Sequence, residues 1–219
     1  MSQITDIQPQ KKNPKRVNIF IDGQFAFGVS RESKIINKLR INDELNEEKN
    51  QSLIFNDQVE RLYDKAIKFL SYRPRSEKEV RDNLLQKLYR SDKGEAEKKN
   101  FESSISAVTQ KLGKLGLVND LEFAKWWFEQ RVNFKKTSPR IIKSELFKKG
   151  IDREIIDEVM DSTIVDPISL ATSAAKKKLV SYQKFEPKIF REKMGRYLAS
   201  KGFDWEVVKK VVDTYSQKS

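Results

Sequence analysis

The sequence predicts a mainly α-helical protein of tandem three-helix repeats, with a small N-terminal β-hairpin extension. Three observations carry this. Residues 119–159 spell three short helices with explicit starts and stops. Their pattern returns 52 residues later, where Met194, Leu198, Lys201-Gly202, Val207-Val208 and Val211 match Ile142, Leu146, Lys149-Gly150, Ile155-Ile156 and Val159. A weaker copy lies upstream, with Val80 and Leu84 standing 62 residues before Ile142 and Leu146. Amphipathic helices resemble one another by chance, but an offset shared over several positions marks a repeat.

Residues 1–16 are polar, with Pro9, Pro14 and the cations Lys11, Lys12, Lys15 and Arg16, and are expected to form a disordered basic tail. Residues 17–58 form the extension. Val17, Ile19 and Ile21, then Phe25, Phe27 and Val29, alternate around Asp22-Gly23, a strong hairpin signal. Two strands alone are marginal in water, so the hairpin must pack on something or gain a third strand. Ser30 or Ser33 caps a short helix to Leu39. Residues 41–62 are acidic, six acids against two bases.

Repeat one is expected over 59–118. Leu62, Ala66, Phe69 and Leu70 stripe its first helix, and Ser76-Glu-Lys-Glu79 opens the second with a capping box. Leu88 stands where the other copies have glycine, so this helix should run on longer. Residues 91–97 read as a polar loop or fraying end; Ile105, Val108, Leu112 and Leu115 form the third helix. Repeat two spans 119–164. Asn119 or Asp120 caps its first helix, which carries Phe123, Ala124, Trp127 and Phe128. Ser138-Pro139 opens the second with a hydroxyl cap and a proline at the first helical position. Lys148-Lys149-Gly150 closes it, placing cations at the negative pole and a glycine free to turn left-handed. Asp152 starts the third. Repeat three spans 165–219: Asp166-Pro167 breaks the chain before its first helix, Leu170, Ala171, Ala174 and Ala175 are its first stripe, Asp204 caps its last helix, and the chain frays after Tyr215. Gly150 and Gly202 are each expected to cost about 1 kcal/mol on substitution by alanine.

Composition narrows function. The 219 residues carry 37% hydrophobic and 35% charged residues, polar for a globular chain but not disordered. A net charge of +12 favours nucleic acid, acidic proteins or anionic membranes as partners. No apolar run is long enough to span a bilayer, and the N-terminus lacks a signal-peptide core. There is no cysteine and no histidine. Disulfides, thiolate or imidazole zinc sites and histidine-based triads are therefore excluded. None of the eight glycines falls in a phosphate-loop spacing. No cofactor, metal or catalytic residue is expected, and the location is expected to be cytoplasmic.

Cations cluster instead. Residues 121–150 hold eight bases against three acids, and residues 171–202 hold nine against two. Most lysines merely solvate a helix face. Arg140, Lys143 and Phe147, however, share a flank away from Ile142 and Leu146, a cation-and-aromatic face suited to phosphate or an acidic protein. The candidate binding surface is Lys135, Lys136, Arg140, Lys143 and Phe147, continued by Lys176, Lys177, Lys178, Arg191 and Arg196. Arg73, Arg75 and Arg81 form a further group around the first repeat's turn. Trp126, off the main stripe, is expected to be a partly buried contact. Arg131, on the buried side, is expected in an internal ion pair.

FLSYRPRSEKEVRDNLLQK (69–87), GLVNDLEFAKWWFEQR (116–131), IIKSELFKKGI (141–151) and MGRYLASKGFDWEVV (194–208) resemble, in order, the RecX family, bacterial regulators of the RecA recombinase. The resemblance covers about 17–215, and the extension is similar to that of members from low-GC Gram-positive bacteria. Two features depart: the family often has a smaller residue near Trp126, and the link between repeats one and two is longer here. The resemblance implies an elongated, curved array acting without catalysis; a monomer is expected. It implies binding to RecA filaments on single-stranded DNA, with suppression of recombinase, ATPase and coprotease activities, and some direct binding to single- and double-stranded DNA. A general basic nucleic-acid-binding helical protein is the alternative, and a carboxylate-dependent nuclease a third.

Overall fold

The computed structural model describes residues 2–89 and 94–216. Two compact units emerge: residues up to Arg73 with Val80–Leu115, and Pro74–Glu79 with the chain from Gly116 onward. The fold is mainly helical with a small antiparallel sheet.

In the first unit, β1 (Ser2–Pro9), β2 (Arg16–Ile21), β3 (Gln24–Ser30) and β4 (Glu44–Leu45) form a sheet in the order β3-β2-β1-β4. The hairpin is as expected: Asp22 and Gly23 both have positive φ, the two-residue turn that matches strand twist. The tail is not. Residues 2–9, expected to be disordered, are the strand between β2 and β4, with Ile7 opposite Ile19 and Ile4 fully buried. This is the third strand that the hairpin needed. A bulge between Ile4 and Asp6 lets Ile4 and Ile7, three residues apart, both pack inward. Arg16, also assigned to the tail, begins β2. It forks onto Asp57 at 2.7 and 2.8 Å and donates to the Gly28 carbonyl. Leu39, Leu45 and Leu53 close the core beneath the sheet.

α1 (Arg31–Ile36) is capped by Ser30, whose hydroxyl accepts from the Ser33 amide, and ends before Leu39. α2 (Glu47–Leu70) begins far upstream of its expected start, so the boundary drawn at 58/59 falls inside a helix. Asn46 caps it, a signal that the acidic run obscured. α3 (Glu77–Tyr89) does run on longer, as Leu88 implied. α4 (Glu95–Lys114) follows, starting ten residues before Ile105; of the loop expected at 91–97, residues 91–93 lie outside the described residues.

In the second unit, α5 (Asp120–Gln130), α6 (Pro139–Lys148) and α7 (Arg153–Asp161) form one three-helix repeat. α8 (Pro167–Tyr182), α9 (Pro187–Ser200) and α10 (Trp205–Ser216) form the next. Their cores are the expected stripes: Phe123, Phe128, Ile142, Leu146, Ile156 and Val159 in one, and Leu170, Ala174, Met194, Leu198, Val208 and Val211 in the other. Val132 and Val165 pack against both. Asn119 caps its helix as expected, and Asp166, read from the sequence as a chain break, caps α8; each accepts two amides. Trp126 is half-buried against the core. The end of the chain, expected to fray after Tyr215, stays helical through Ser216; 217–219 lie outside the described residues.

Candidate functional site

The repeats meet at two joints of one design, both in the second unit. At the first, the Ser76 hydroxyl, at the start of α3, donates to the Lys149 carbonyl at the end of α6 over 2.8 Å. At the second, the Ser138 hydroxyl, at the start of α6, donates to the Gly202 carbonyl at the end of α9, also at 2.8 Å, and the Ser138 amide to the Lys201 carbonyl. The expected hydroxyl cap at Ser138 is therefore corrected: no cap bond forms within its own helix, and the hydroxyl donates to the neighbouring repeat instead. Ser76 does both, accepting from the Glu79 amide as it donates to Lys149. In each case the positive end of one helix meets the negative end of the next. Gly150 and Gly202 have φ of +79° and +84°, as expected of left-handed caps. Each also lies where a Cβ would stand 2.5 Å from a neighbour, Lys78 in one case and Ile141 and Ser138 in the other.

The charges at the joints are opposite. Lys149 at the first joint pairs with Glu79 at 2.6 Å, both largely buried, and lies 4.1 Å from the centre of the Trp127 ring. Asp120 accepts from the Glu77 amide there. Burial raises its carboxyl above the usual carboxylate value; that hydrogen bond pulls it down, and Glu77 and Asp152 add repulsion.

Lys201 at the second joint has no such acid, since Ile141 stands where the offset of 62 places the counterpart of Glu79. Its ammonium donates to the Lys135 carbonyl at 3.0 Å, and the Lys177 ammonium donates to the adjacent Phe134 carbonyl at 2.6 Å. Both carbonyls belong to a π-helical turn, Arg131–Lys135, which ends with Lys136 in the left-handed region. Turns of this kind concentrate at functional sites. Burial, then Lys135, Lys177, Arg131 and Lys178, hold the Lys201 ammonium below the ordinary lysine range. Lys178 and Lys201 both approach the Tyr197 ring, and Phe134 is exposed.

Of the residues expected to bind, Lys135, Lys177 and Lys178 are thus brought together. Lys136 supports the turn, and Lys176 is exposed on α8. Arg140, Lys143 and Phe147 do lie exposed on α6, but Lys143 is hydrogen-bonded to Asp157, whose carboxyl it holds below the usual range. Arg191 pairs with Asp213 and Arg196 with Glu192. Arg73 and Arg75 are half-buried and engaged with neighbours, and Arg81 is exposed. Arg131 makes the expected internal pair, with Glu145 at 2.6 Å, and stacks on Trp127. Sequence reasoning missed Phe134 and Lys201. The second carried a signal, its match to Lys149 without a matching acid; the first carried none, because the π-turn shifts the helical register.

A cavity of about 1610 Å³ in the first unit, lined by Arg16, Phe27, Asp57 and Tyr63 among others, holds the Arg16–Asp57 pair in its wall. Among the described residues no group of acids is placed to hold a metal ion, and no helix is long and apolar enough to cross a membrane.

Four family models match the chain in order: the regulatory protein RecX N-terminal domain over 2–46, and the first, second and third three-helix domains of RecX over 63–93, 119–160 and 165–212. A regulatory protein RecX of Clostridium beijerinckii is 31% identical over 215 residues, covering 97% of this chain and 95% of that one. One from Listeria innocua is 34% identical over 208 residues, covering 94% and 73%. Among solved structures, a crystal structure of regulatory protein RecX aligns with a TM-score of 0.65 at 26% identity, covering 97% of this chain and all (100%) of that one. A second, RecX from Lactobacillus salivarius, aligns with a TM-score of 0.54 at 26% identity, covering 74% and 99%.

Proposed function

The chain belongs to the RecX family of regulatory proteins, and from that premise we propose that it is a non-enzymatic modulator of RecA. It binds the RecA filament on single-stranded DNA and suppresses the filament's recombinase, ATPase and coprotease activities in the cytoplasm. The observation that carries this reading is the ordered match of all four family domains along one chain. The exposed cations of α6, α8 and α9 support it, because a filament offers phosphates and acidic side chains in a regular array. Lys135, Lys136, Arg140, Lys143 and Phe147, with Lys176, Lys177, Lys178, Arg191 and Arg196, make up the engaging surface. Many weak contacts along one body act together, so binding weakens as salt shortens the screening length to about 8 Å at physiological strength.

The net charge of +12 favours a second reading, a general nucleic-acid-binding protein. RecA's ATPase on single-stranded DNA, with this protein titrated in, separates the two. Regulation gives inhibition far below the amount that covers the DNA. Inhibition that appears only as the DNA becomes covered overturns the filament reading and supports simple competition. An Arg140→Glu, Lys176→Glu variant with unchanged circular dichroism should need a higher dose; a wild-type dose response would reassign the surface.

A further inference from the structure

We propose that the π-turn joint is a phosphodiester site, where Lys135, Lys177, Lys178 and Lys201 take the backbone of a single nucleic-acid strand and Phe134 takes a base against its ring. This rests on the filament reading for its occupant and names the component touched, the strand rather than the protein.

The first joint is an internal control. There the same backbone frame carries a lysine at the same position, neutralised by Glu79. A lysine at a helix end thus has a structural use that an acid satisfies. At the second joint that acid is gone and three more lysines stand close enough to repel the Lys201 charge. The protein's own dipoles do not balance them. The ends of α5 and α9 supply about half a negative charge each, roughly one in total, against four ammonium groups. Arg131 is left out of this count because Glu145 neutralises it. The surplus is held on a fixed frame: two of the ammonium groups are fastened to consecutive carbonyls of one turn. Burial and then crowding by neighbouring cations disfavour the charge on Lys201, and an arriving anion relieves the crowding.

The aromatic rings select the anion. Arginine's planar fork meets carboxylate and phosphate alike, and the one arginine here is occupied. The remaining donors are lysines, compact charges that suit phosphate oxygens. Phe134, exposed on the same turn, and the half-buried Tyr197 ring beneath two of the ammonium groups, add aromatic faces. Cations interleaved with aromatic rings are the chemistry of single-strand binding.

The test measures anisotropy of a labelled oligothymidine on the full chain, without RecA, across a salt series. In Lys177→Gln, Lys178→Gln the slope of log affinity against log salt should fall by about 1.4, two cations at roughly 0.7 each, with a loss on the order of tenfold or more at 0.1 M salt. Lys209→Gln, Lys210→Gln on α10 removes the same charge elsewhere and should leave the slope unchanged. Phe134→Ala should weaken binding at least about fivefold, from lost stacking on a base. Melting curves check that each variant is folded. Wild-type affinity and slope in the α8 variant, or an equal change in the α10 control, overturns the site. Tighter binding of an oligoglutamate of equal charge overturns the choice of strand over protein. Failure here leaves RecA regulation standing, since RecA is absent from the assay, and loss of ATPase inhibition with oligothymidine binding intact leaves this site standing.

Discussion

The two joints differ in charge more than in frame. A serine at a helix start, a carbonyl at the next helix end and a left-handed glycine recur at both. Around the first, Lys149 and Lys78 stand among Glu77, Glu79, Asp120 and Asp152; around the second are Arg131, Lys135, Lys177, Lys178 and Lys201. The frame is set by requirements that every copy shares: helix-end carbonyls need donors, and close approach excludes a Cβ. Charge is not constrained in that way. A copy that has met the backbone requirement is free to specialise its side chains, so divergence between equivalent positions points to use rather than to folding.

The largest expected effect leaves both joints untouched and calibrates the comparison. Removing residues 1–9 deletes a strand with neighbours on both sides and the fully buried Ile4. A loss of at least about 3 kcal/mol is expected, from the side chain and the ladder together. This reverses the expectation of a disordered tail. It should appear in the first unit's unfolding transition, while the Ser138 amide, bonded to the Lys201 carbonyl, keeps its hydrogen-exchange protection. An unchanged midpoint would show that β1 contributes nothing to stability.

The glycines probe the joints directly. Gly202→Ala brings a Cβ 2.5 Å from both Ile141 Cγ1 and Ser138 Oγ, at a φ that alanine disfavours. The two penalties together come to about 2–4 kcal/mol. Gly150→Ala meets the Lys78 stem, whose far end can swing away although its Cβ cannot, and should cost about 1.5–3 kcal/mol. Gly116, at φ +67°, has nothing within 4 Å, so Gly116→Ala should cost only the conformational term of about 1 kcal/mol. Chemical denaturation gives all three. Equal losses would reduce the joints to ordinary helix ends.

The contrast between glycines shows what a sequence carries and what it withholds. Local signals were legible: the Asn119 cap, the left-handed glycines, the Asp22-Gly23 turn and the apolar stripes all act within a few residues. Tertiary demands were not. Nothing near Gly202 announces that Ile141, some sixty residues away, fills the space beside it. Ser138 looks like a cap, and its tertiary use is invisible until α9 is in place. The β1 strand hid because its bulge breaks alternation and its stability comes from two partners. At the candidate site the lysine runs were legible as charge. The π-turn that gathers them was not, because one extra residue rotates everything after it by about 100° on the helix.

The smallest expected effect is a difference of sign in the response to pH. Asp120 at the first joint has its folded-state value raised above the ordinary 3.8, chiefly by burial. Its ionised form is disfavoured in the fold, so its contribution to stability is fully present below 3.8 and is lost as pH rises through the raised value. Lys201 at the second joint has its value lowered below the ordinary 10.5, by burial first and then by neighbouring cations. Its charged form is the disfavoured one, so it weakens the fold at neutral pH, and that penalty is relieved as pH climbs from the lowered value towards 10.5. The first joint should therefore tighten on the acid side and the second on the alkaline side. Asp120→Asn should remove the acid-side gain and leave the alkaline one; Lys201→Met should do the reverse. Hydrogen exchange at the Glu79 amide, held by the Ser76 hydroxyl, and at the Ser138 amide, held by the Lys201 carbonyl, reads each joint separately. Adding inorganic phosphate should flatten the Ser138 response and not the Glu79 one, because an anion relieves crowding only where cations are in surplus. If both amides respond to pH with the same sign, the opposition of charge between the joints has no energetic consequence.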